Sequence, residues 1–281
     1  MRDEPGRVGP VLEIRLPCPG RRIHQHVLSA VRGRPAGTGG GIEHWGGQVT
    51  ASEQQVPRVP VIAIDGPVGS GKGTISRRLA RRLGWHFLDS GVLYRLVAIA
   101  AMDAGVEPQD RQRLAKVAHE LDCSFIERDG RVVPLLAGED MSARVRTEPV
   151  SMMASEVAAV PAVREAIVAR QRAFVRPPGL VADGRDMGTV IFPDADLKIF
   201  LTAGVEERAH RRYKQLKEKG ESVNLSRLFR EIEARDARDM SRPIAPLKPA
   251  EDAVSIDSTD RSIEEVLEMI MELVRERALT G

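Results

Sequence analysis

The sequence predicts an α/β fold in which a five-stranded parallel sheet carries helices on both faces. Three observations lead to this prediction. Val61–Thr74 (VIAIDGPVGSGKGT) has the pattern of a buried strand, a glycine-rich loop and the start of a helix. Four further short apolar runs follow, separated largely by helical patterns. Polar residues come directly after several of these runs, as in sheets that bind ligands at the carboxyl ends of their strands.

The loop after the first strand has the composition of a phosphate-binding loop. Its glycines let backbone N–H groups surround an anion, and the following helix adds positive charge at its N-terminus. Lys72 can reach the β- and γ-phosphates of a nucleotide. The hydroxyl comes one position later than in G-x-x-x-x-G-K-[ST], at Thr74. A glycine-rich turn without a ligand is the alternative, but the strand, spacing, lysine and helix together favour phosphate binding.

The next segments predict a second strand and a small insertion. Trp85–Leu88 is an apolar run that ends in Asp89-Ser90-Gly91, and helical patterns follow at Leu93–Ala101 and 111–121. The period then changes to two, with strands at Cys123–Glu127 and Arg131–Leu135 around the turn residues Asp129-Gly130. A hairpin among βα units indicates an inserted subdomain at about residues 117–156.

The second half of the chain supplies the remaining strands of the sheet. The third, fourth and fifth strands are predicted at Leu180–Ala182, Leu197–Leu201 and Val254–Ile256. Helices are predicted at 147–158, 161–176, 205–219 and 224–240, with a last helix capped by Ser262.

Composition excludes several classes of protein. The net charge of +2 is too small to imply a polyanionic partner, and we do not expect nucleic-acid binding. No apolar run approaches the length of a membrane span, and the two cysteines fit no metal spacing. We therefore expect a cytoplasmic monomer with no membrane partner. Residues 1–59 are rich in glycine and proline without a hydrophobic period, and we expect a disordered extension before a folded domain at 60–281.

Three arginine-containing clusters suit the transfer of a charged phosphoryl group, because arginine offers planar, bidentate donors. Asp183-Gly184-Arg185-Asp186 follows the third strand. Arg208, Arg211 and Arg212 share one helix face, and so do Arg235, Arg238, Asp239 and Arg242. The alternative is a solvated helix surface with intrahelical ion pairs such as Arg235–Asp239. No separate general base is needed when the acceptor is itself phosphorylated, so the clusters favour a kinase of that kind.

Several motifs resemble those of bacterial cytidylate kinases of the longer type, which carry an inserted subdomain. In order and spacing they are GPVGSGKGT, LDSGVLYR, ADGRDMGTVIFPDA, EERAHRR and ARDARDMSRPIAPL. The resemblance covers about residues 60–278 and does not extend to 1–59. Val68 stands where members of the family often carry serine, and we expect little consequence.

The resemblance implies a phosphate-loop kinase that transfers phosphate from ATP to CMP or dCMP, with Mg²⁺ and a lid at about 205–222. It implies catalytic roles for Lys72, Arg185 and Arg211, and Mg²⁺ contacts for Thr74 and Asp183. The implied ATP-binding residues are Gly66, Pro67, Val68, Gly69, Ser70, Gly71, Lys72, Gly73, Thr74, Arg208 and Arg212. The implied substrate-binding residues are Ser90, Tyr94, Arg95, Ser155, Arg164, Arg185, Asp186, Arg235, Asp239 and Arg242.

Three alternatives remain open from the sequence. The first is a kinase with broader specificity for UMP and CMP. The second is a phosphate-loop ATPase or GTPase switch, although the chain has no N/T-K-x-D motif for reading guanine. The third is a nucleic-acid-binding module that uses the arginines of residues 1–59.

Overall fold

The computed structural model describes residues 13–15, 58–128, 131–218, 220 and 222–279. Its strands are β1 (Glu13–Arg15), β2 (Val61–Asp65), β3 (His86–Asp89), β4 (Cys123–Arg128), β5 (Arg131–Leu136), β6 (Glu139–Asp140), β7 (Leu180–Gly184), β8 (Leu197–Thr202) and β9 (Val254–Asp257). Its α-helices are α1 (Lys72–Leu83), α2 (Ser90–Asp103), α3 (Arg111–His119), α4 (Glu148–Val157), α5 (Pro161–Arg172), α6 (Val205–Glu218), α7 (Leu225–Met240) and α8 (Ile263–Glu276).

Five strands form one parallel sheet in the order β3-β7-β2-β8-β9. Every neighbouring pair in it is parallel, so the carboxyl ends of all five strands lie at one edge. The five strands predicted from the sequence are the five strands of this sheet. β2 lies at its centre, which places the glycine-rich loop in the middle of the ligand-binding edge.

Helices cover both faces of the sheet, because the side chains of a strand alternate between its two sides. Val61 and Ala63 of β2 belong to a core that they share with residues of α2 and α5. Ile62 and Ile64 belong to the opposite core, with residues of α1 and α8. Aliphatic side chains build most of both cores, each stabilising the fold by about 1.5–3 kcal/mol when fully buried.

A second, antiparallel sheet has the strand order β1-β4-β5-β6. β4 and β5 form the predicted hairpin, with Arg128 opposite Arg131. The predicted turn residues Asp129-Gly130 lie outside the described residues. A short third strand, β6, continues this sheet, and the sequence analysis did not predict it because Glu139 and Asp140 show no apolar alternation.

Strand β1 differs from the predicted disorder of residues 1–59. Glu13, Ile14 and Arg15 pair antiparallel with Ile126, Phe125 and Ser124 of β4. The edge of β4 offers unpaired backbone groups to any extended segment, so pairing here does not require hydrophobic periodicity in β1. The rest of the predicted extension, apart from Arg58 and Val59, lies outside the described residues.

Two predicted helices end earlier than expected, at His119 and Arg172. Within the described ranges, no helix is both long and apolar enough to cross a lipid bilayer.

Candidate active site

A cleft of about 1390 Å³ opens at the carboxyl edge of the parallel sheet. Its walls come from the loop between β2 and α1, the start of α2, helices α4 to α7 and the segment after β7. All of the predicted site residues line it except Gly66, Pro67 and Arg208. Residues that are far apart in the sequence therefore lie in one cleft. This confirms the prediction that polar residues at the carboxyl ends of the parallel strands come together.

The phosphate loop needs glycine at two positions for different reasons. A Cβ at Gly66 would overlap the backbone carbonyl of Leu201, so the loop and β8 approach each other closely only without a side chain. Gly71 has a φ of 87°, in the left-handed region, and precedes the first residue of α1. No described side chain caps α1, so backbone N–H groups at its start are available to an anion.

Lys72 is the first residue of α1, and its side chain is buried. Its Nζ donates a hydrogen bond of 3.2 Å to the Pro67 carbonyl, within the phosphate loop. Burial and the nearby Arg185 lower the pKa of Lys72 to about 7, and Asp183 acts in the opposite direction. A bound polyphosphate would supply the negative charge that this buried amine needs.

Asp183 and Thr74 provide oxygen atoms that suit Mg²⁺. Burial raises the pKa of Asp183 to about 6 against the opposing charge of Lys72. Its Oδ1 atom is buried without a hydrogen-bond partner in the described structure. Thr74, on α1, is exposed and lines the same cleft. Among the residues that the structure describes, no group of three or more His, Cys, Asp and Glu could hold a metal ion, so phosphate and water would complete the coordination.

Arg164 of α5 and Asp186, just after β7, form a buried ion pair. Arg164 also donates to the Ala158 carbonyl at 3.2 Å, and its guanidinium lies 5.6 Å from the centre of the Tyr94 ring. The Ser155 hydroxyl is buried nearby in the cleft wall and has no hydrogen-bond partner in the described ranges. Burial raises the pKa of Tyr94 to about 12, so its phenol stays protonated.

Asp239 of α7 joins two arginines in the same part of the cleft. Arg185 Nε donates to its Oδ2 at 2.8 Å, and Arg242 pairs with its Oδ1. Although burial alone would raise the pKa of Asp239, the charges of Arg185 and Arg242 lower it overall. The carboxylate therefore stays ionised and holds two guanidinium groups beside each other, where their charges alone would repel.

Arg235 does not make the surface ion pair with Asp239 that the alternative reading of the sequence proposed. Its Nη1 donates to Ser151 Oγ of α4 at 3.0 Å. Burial and the nearby Arg185 lower its pKa to about 10.

Two further predicted substrate-binding residues lie at the start of α2. The Arg95 guanidinium lies 3.9 Å from the Asp89 carboxylate. The Ser90 hydroxyl lies beside Gly184, and a Cβ added at Gly184 would be 2.8 Å from it.

The three arginines of α6 have three different surroundings. Arg208 is buried behind the phosphate loop, where its guanidinium bonds Ala203 O at 2.9 Å, Val68 O at 3.0 Å and Asp236 Oδ2 at 2.6 Å. All three of its nitrogens have protein partners, and its predicted contact with ATP stays a prediction.

Arg211 and Arg212 line the cleft, and their roles in catalysis and ATP binding stay predictions. Arg211 donates to the Ser258 carbonyl at 2.6 Å and to Glu207, one turn earlier. Arg212 forms a 2.9 Å ion pair with Glu148 of α4, which joins the predicted lid to the predicted inserted subdomain.

Sequence reasoning assigned no role to three polar residues around the site. Asp65 accepts hydrogen bonds from two backbone N–H groups after β7, and its position at a strand end was the available signal. Asp236 holds Arg208, and its place next to Arg235 on α7 was a weaker signal. Ser258 links Arg211 to the phosphate loop, because its Oγ accepts a hydrogen bond from Arg211 and donates one of 3.0 Å to the Ser70 carbonyl. Nothing in the sequence indicated Ser258.

Comparison with known proteins gives a consistent result. The family model described as "Cytidylate kinase" matches residues 62–276. The chain is 58% identical over 225 residues to a cytidylate kinase of Stutzerimonas stutzeri, covering 79% of this chain and 98% of that protein. It is 53% identical to one from Klebsiella pneumoniae, covering 78% and 96%, and 55% identical to one from Methylococcus capsulatus, covering 77% and 97%. The chain therefore belongs to the cytidylate kinase family.

Proposed function

We propose that this protein transfers the γ-phosphoryl group of ATP to CMP and dCMP, giving the diphosphates and ADP. The observation that carries the proposal is the buried Arg164–Asp186 pair in the same cleft as the phosphate loop. A phosphate loop alone would fit any nucleoside triphosphatase. A second polar site with opposite charges at fixed positions fits an acceptor nucleotide as well.

Cytosine matches the chemistry of this pair. Its N4 amino group is a donor for the Asp186 carboxylate, and its N3 and O2 are acceptors for the Arg164 guanidinium. The buried Ser155 hydroxyl offers one further contact to the base edge. Uracil would turn O4 toward the carboxylate, and the resulting unpaired acceptor costs about 1–3 kcal/mol.

The other acceptor groups have candidates close by. Arg185 and Arg242, held by Asp239, suit the phosphate of CMP because a guanidinium binds phosphate oxygens in a bidentate manner. Arg235 and Asp239 would contact the sugar hydroxyls. Ser90, Tyr94 and Arg95 line the same cleft and would complete the contacts to the nucleotide.

The donor side would use the phosphate loop, from Gly66 to Thr74. Its backbone N–H groups and Lys72 would hold the β- and γ-phosphates of ATP. Mg²⁺, held by Thr74 and Asp183 with phosphate oxygens and water, would neutralise charge on the phosphates. Arg208 would act on this site through the Val68 carbonyl rather than by touching ATP.

The chemistry requires no general base, because the attacking oxygen belongs to the acceptor phosphate. Catalysis then consists of aligning the two phosphates and stabilising the charge that spreads over the moving group. Lys72, Arg185 and Arg211 are the cations for that task. Arg211 would have to exchange its bond to Ser258 for the phosphoryl oxygens, and closure of the lid would exclude water.

One coupled assay tests the proposal. Rates with ATP are measured for CMP, dCMP, UMP, AMP and GMP under the same conditions. We expect kcat/KM for CMP and dCMP to exceed that for UMP at least tenfold. Comparable values for UMP would instead assign a broader pyrimidine nucleotide kinase. ATP turnover that does not depend on any acceptor would contradict the proposal.

A further inference from the structure

Asp65 is a buried carboxylate that the proposed reaction does not use. It is the last residue of β2, and both of its oxygens accept backbone hydrogen bonds from the segment after β7. Met187 N donates to Oδ1 at 2.8 Å, and Gly188 N donates to Oδ2 at 2.8 Å. We propose that Asp65 is a positioning residue that holds Arg185 and Asp186 in the orientation that reads the acceptor nucleotide.

The topology of the sheet explains this contact. β2 and β7 are parallel neighbours, with Asp65 opposite Gly184. The chain leaves β7 at Gly184, passes through Arg185 and Asp186, and begins a π-helical turn at Met187. The first N–H groups of a helical turn have no acceptor inside it, so the Asp65 carboxylate satisfies two donors that the turn cannot.

The segment is held from its other side as well. A Cβ at Gly188 would lie 3.2 Å from the Lys198 side chain and 3.5 Å from Asp65, so Gly188 sits between the two residues. Met187 is fully buried. Arg185 and Asp186 immediately precede these anchored residues and carry the contacts to Asp239 and Arg164. Their direction therefore depends on the two backbone bonds to Asp65.

Asp65 also directly precedes Gly66, the first residue of the phosphate loop. One residue thus joins the two halves of the cleft, covalently on the donor side and by hydrogen bonds on the acceptor side. A change that weakens only the hydrogen bonds should disturb the acceptor half. A merely structural contact would instead reduce stability and affect both halves alike.

The chain offers a matched control in Asp196. Its Oδ2 accepts a 2.8 Å hydrogen bond from Val61 N at the opposite end of β2, and Asp196 does not line the cleft. Asp65→Asn and Asp196→Asn make the same chemical change. In each case an amide replaces a carboxylate, and its NH₂ group cannot accept a backbone N–H.

The experiment measures kcat and KM for CMP, UMP and ATP in wild type and both variants. The proposal rests on the proposed base reading, and it predicts that D65N raises KM for CMP about tenfold. It further predicts a CMP-to-UMP ratio of kcat/KM at least fivefold lower, with KM for ATP changed less than twofold. In D196N, KM for CMP, KM for ATP and the CMP-to-UMP ratio of kcat/KM should all stay within twofold of wild type. Equal increases of KM for CMP and KM for ATP in D65N would overturn the proposal. So would an unchanged KM for CMP.

A wild-type measurement keeps the proposal testable if D65N does not fold. Amide hydrogen exchange at Met187 and Gly188 should be as slow as in β2, since both N–H groups are held by a buried carboxylate. Fast exchange there would overturn it. The proposed recognition of cytosine is tested separately. If it is wrong, the wild-type enzyme will have similar kcat/KM values for CMP and UMP.

Discussion

Arg208 and Asp236 form a 2.6 Å ion pair, in which the arginine is 3% exposed and the aspartate 10% exposed at their side chains. The same guanidinium donates to the Val68 carbonyl of the phosphate loop. The pair thus connects the loop that would bind ATP to α7, which carries Arg235 and Asp239.

Arg208→Lys should destabilise the protein although it keeps the positive charge. Lysine has one nitrogen where Arg208 uses three, so a buried carbonyl or the Asp236 carboxylate loses its partner. We expect a loss of about 2–4 kcal/mol in the free energy of unfolding, together with a higher KM for ATP. Urea unfolding and steady-state kinetics measure both effects.

Arg227→Lys is the matched control for this change. Arg227 is 74% exposed and pairs with Glu231, so the same substitution should leave the free energy of unfolding nearly unchanged. If R208K were as stable as R227K, Arg208 would not be the structural connection described above.

Lys72→Met should nearly abolish turnover while the protein remains folded. The substitution removes the cation that would stabilise the transferring phosphoryl group, and it also removes a buried charge from the apo protein. We expect kcat to fall at least a hundredfold, about 2.7 kcal/mol in the barrier, without a lower melting temperature. A variant with more than about a tenth of the wild-type kcat, a loss below ~1.4 kcal/mol, would argue against this role of Lys72.

Asp65 should make stability depend on pH in an identifiable direction. Burial raises its pKa to about 7 in the folded protein, with contributions from Asp186 and Asp183, against the lowering hydrogen bonds of Gly188 and Met187. Between pH ~4 and ~7 the folded state holds a proton that the unfolded state has lost. This contribution to stability is present at low pH and is lost as the pH rises through about 7.

The test compares urea unfolding of wild type and D65N at pH 5 and pH 8. The stability of wild type relative to D65N should be greater at pH 5 than at pH 8, since the variant has no group to titrate at this position. A difference that stays constant, or that grows with pH, would show that Asp65 does not titrate with a raised pKa.

The sequence predicted the sheet and the location of the site because both follow from local patterns. Short β-branched runs such as Val61–Ile64 can be recognised in isolation, and the parallel topology then brings the strand-end residues to one edge. The arginines of α6 show where such reasoning stops. Helical spacing placed Arg208, Arg211 and Arg212 on one face, but only tertiary contacts decide which partner each reaches.

Other misses have the same origin. Asp236 is a partner of Arg208, yet helix spacing drew attention to its neighbours Arg235 and Asp239 instead. β1 pairs with β4 across more than a hundred residues, and three residues are too few to show a period. Contacts between distant segments carry no local signal, and they determine the surroundings of individual side chains.

Removal of residues 1–57 should leave catalysis nearly unchanged. Within the described residues this segment contributes β1, at the outer edge of the antiparallel sheet, while the residues that line the cleft begin at Val68. We expect kcat and both KM values within twofold of the full chain, with a small decrease in melting temperature from the lost strand. A tenfold rise in KM for CMP would show that β1 shapes the acceptor site.

The most direct test of the account is the specificity of Asp186→Asn. The neutral amide can donate to uracil O4, whereas the carboxylate can only repel it in a dry pocket. The account predicts that the CMP-to-UMP ratio of kcat/KM falls at least tenfold, about 1.4 kcal/mol, relative to wild type. If Asp186 only orients its neighbours through its pair with Arg164, kcat/KM should fall by the same factor for CMP and for UMP. A ratio that stays within about threefold, or ~0.7 kcal/mol, would contradict the base-reading role.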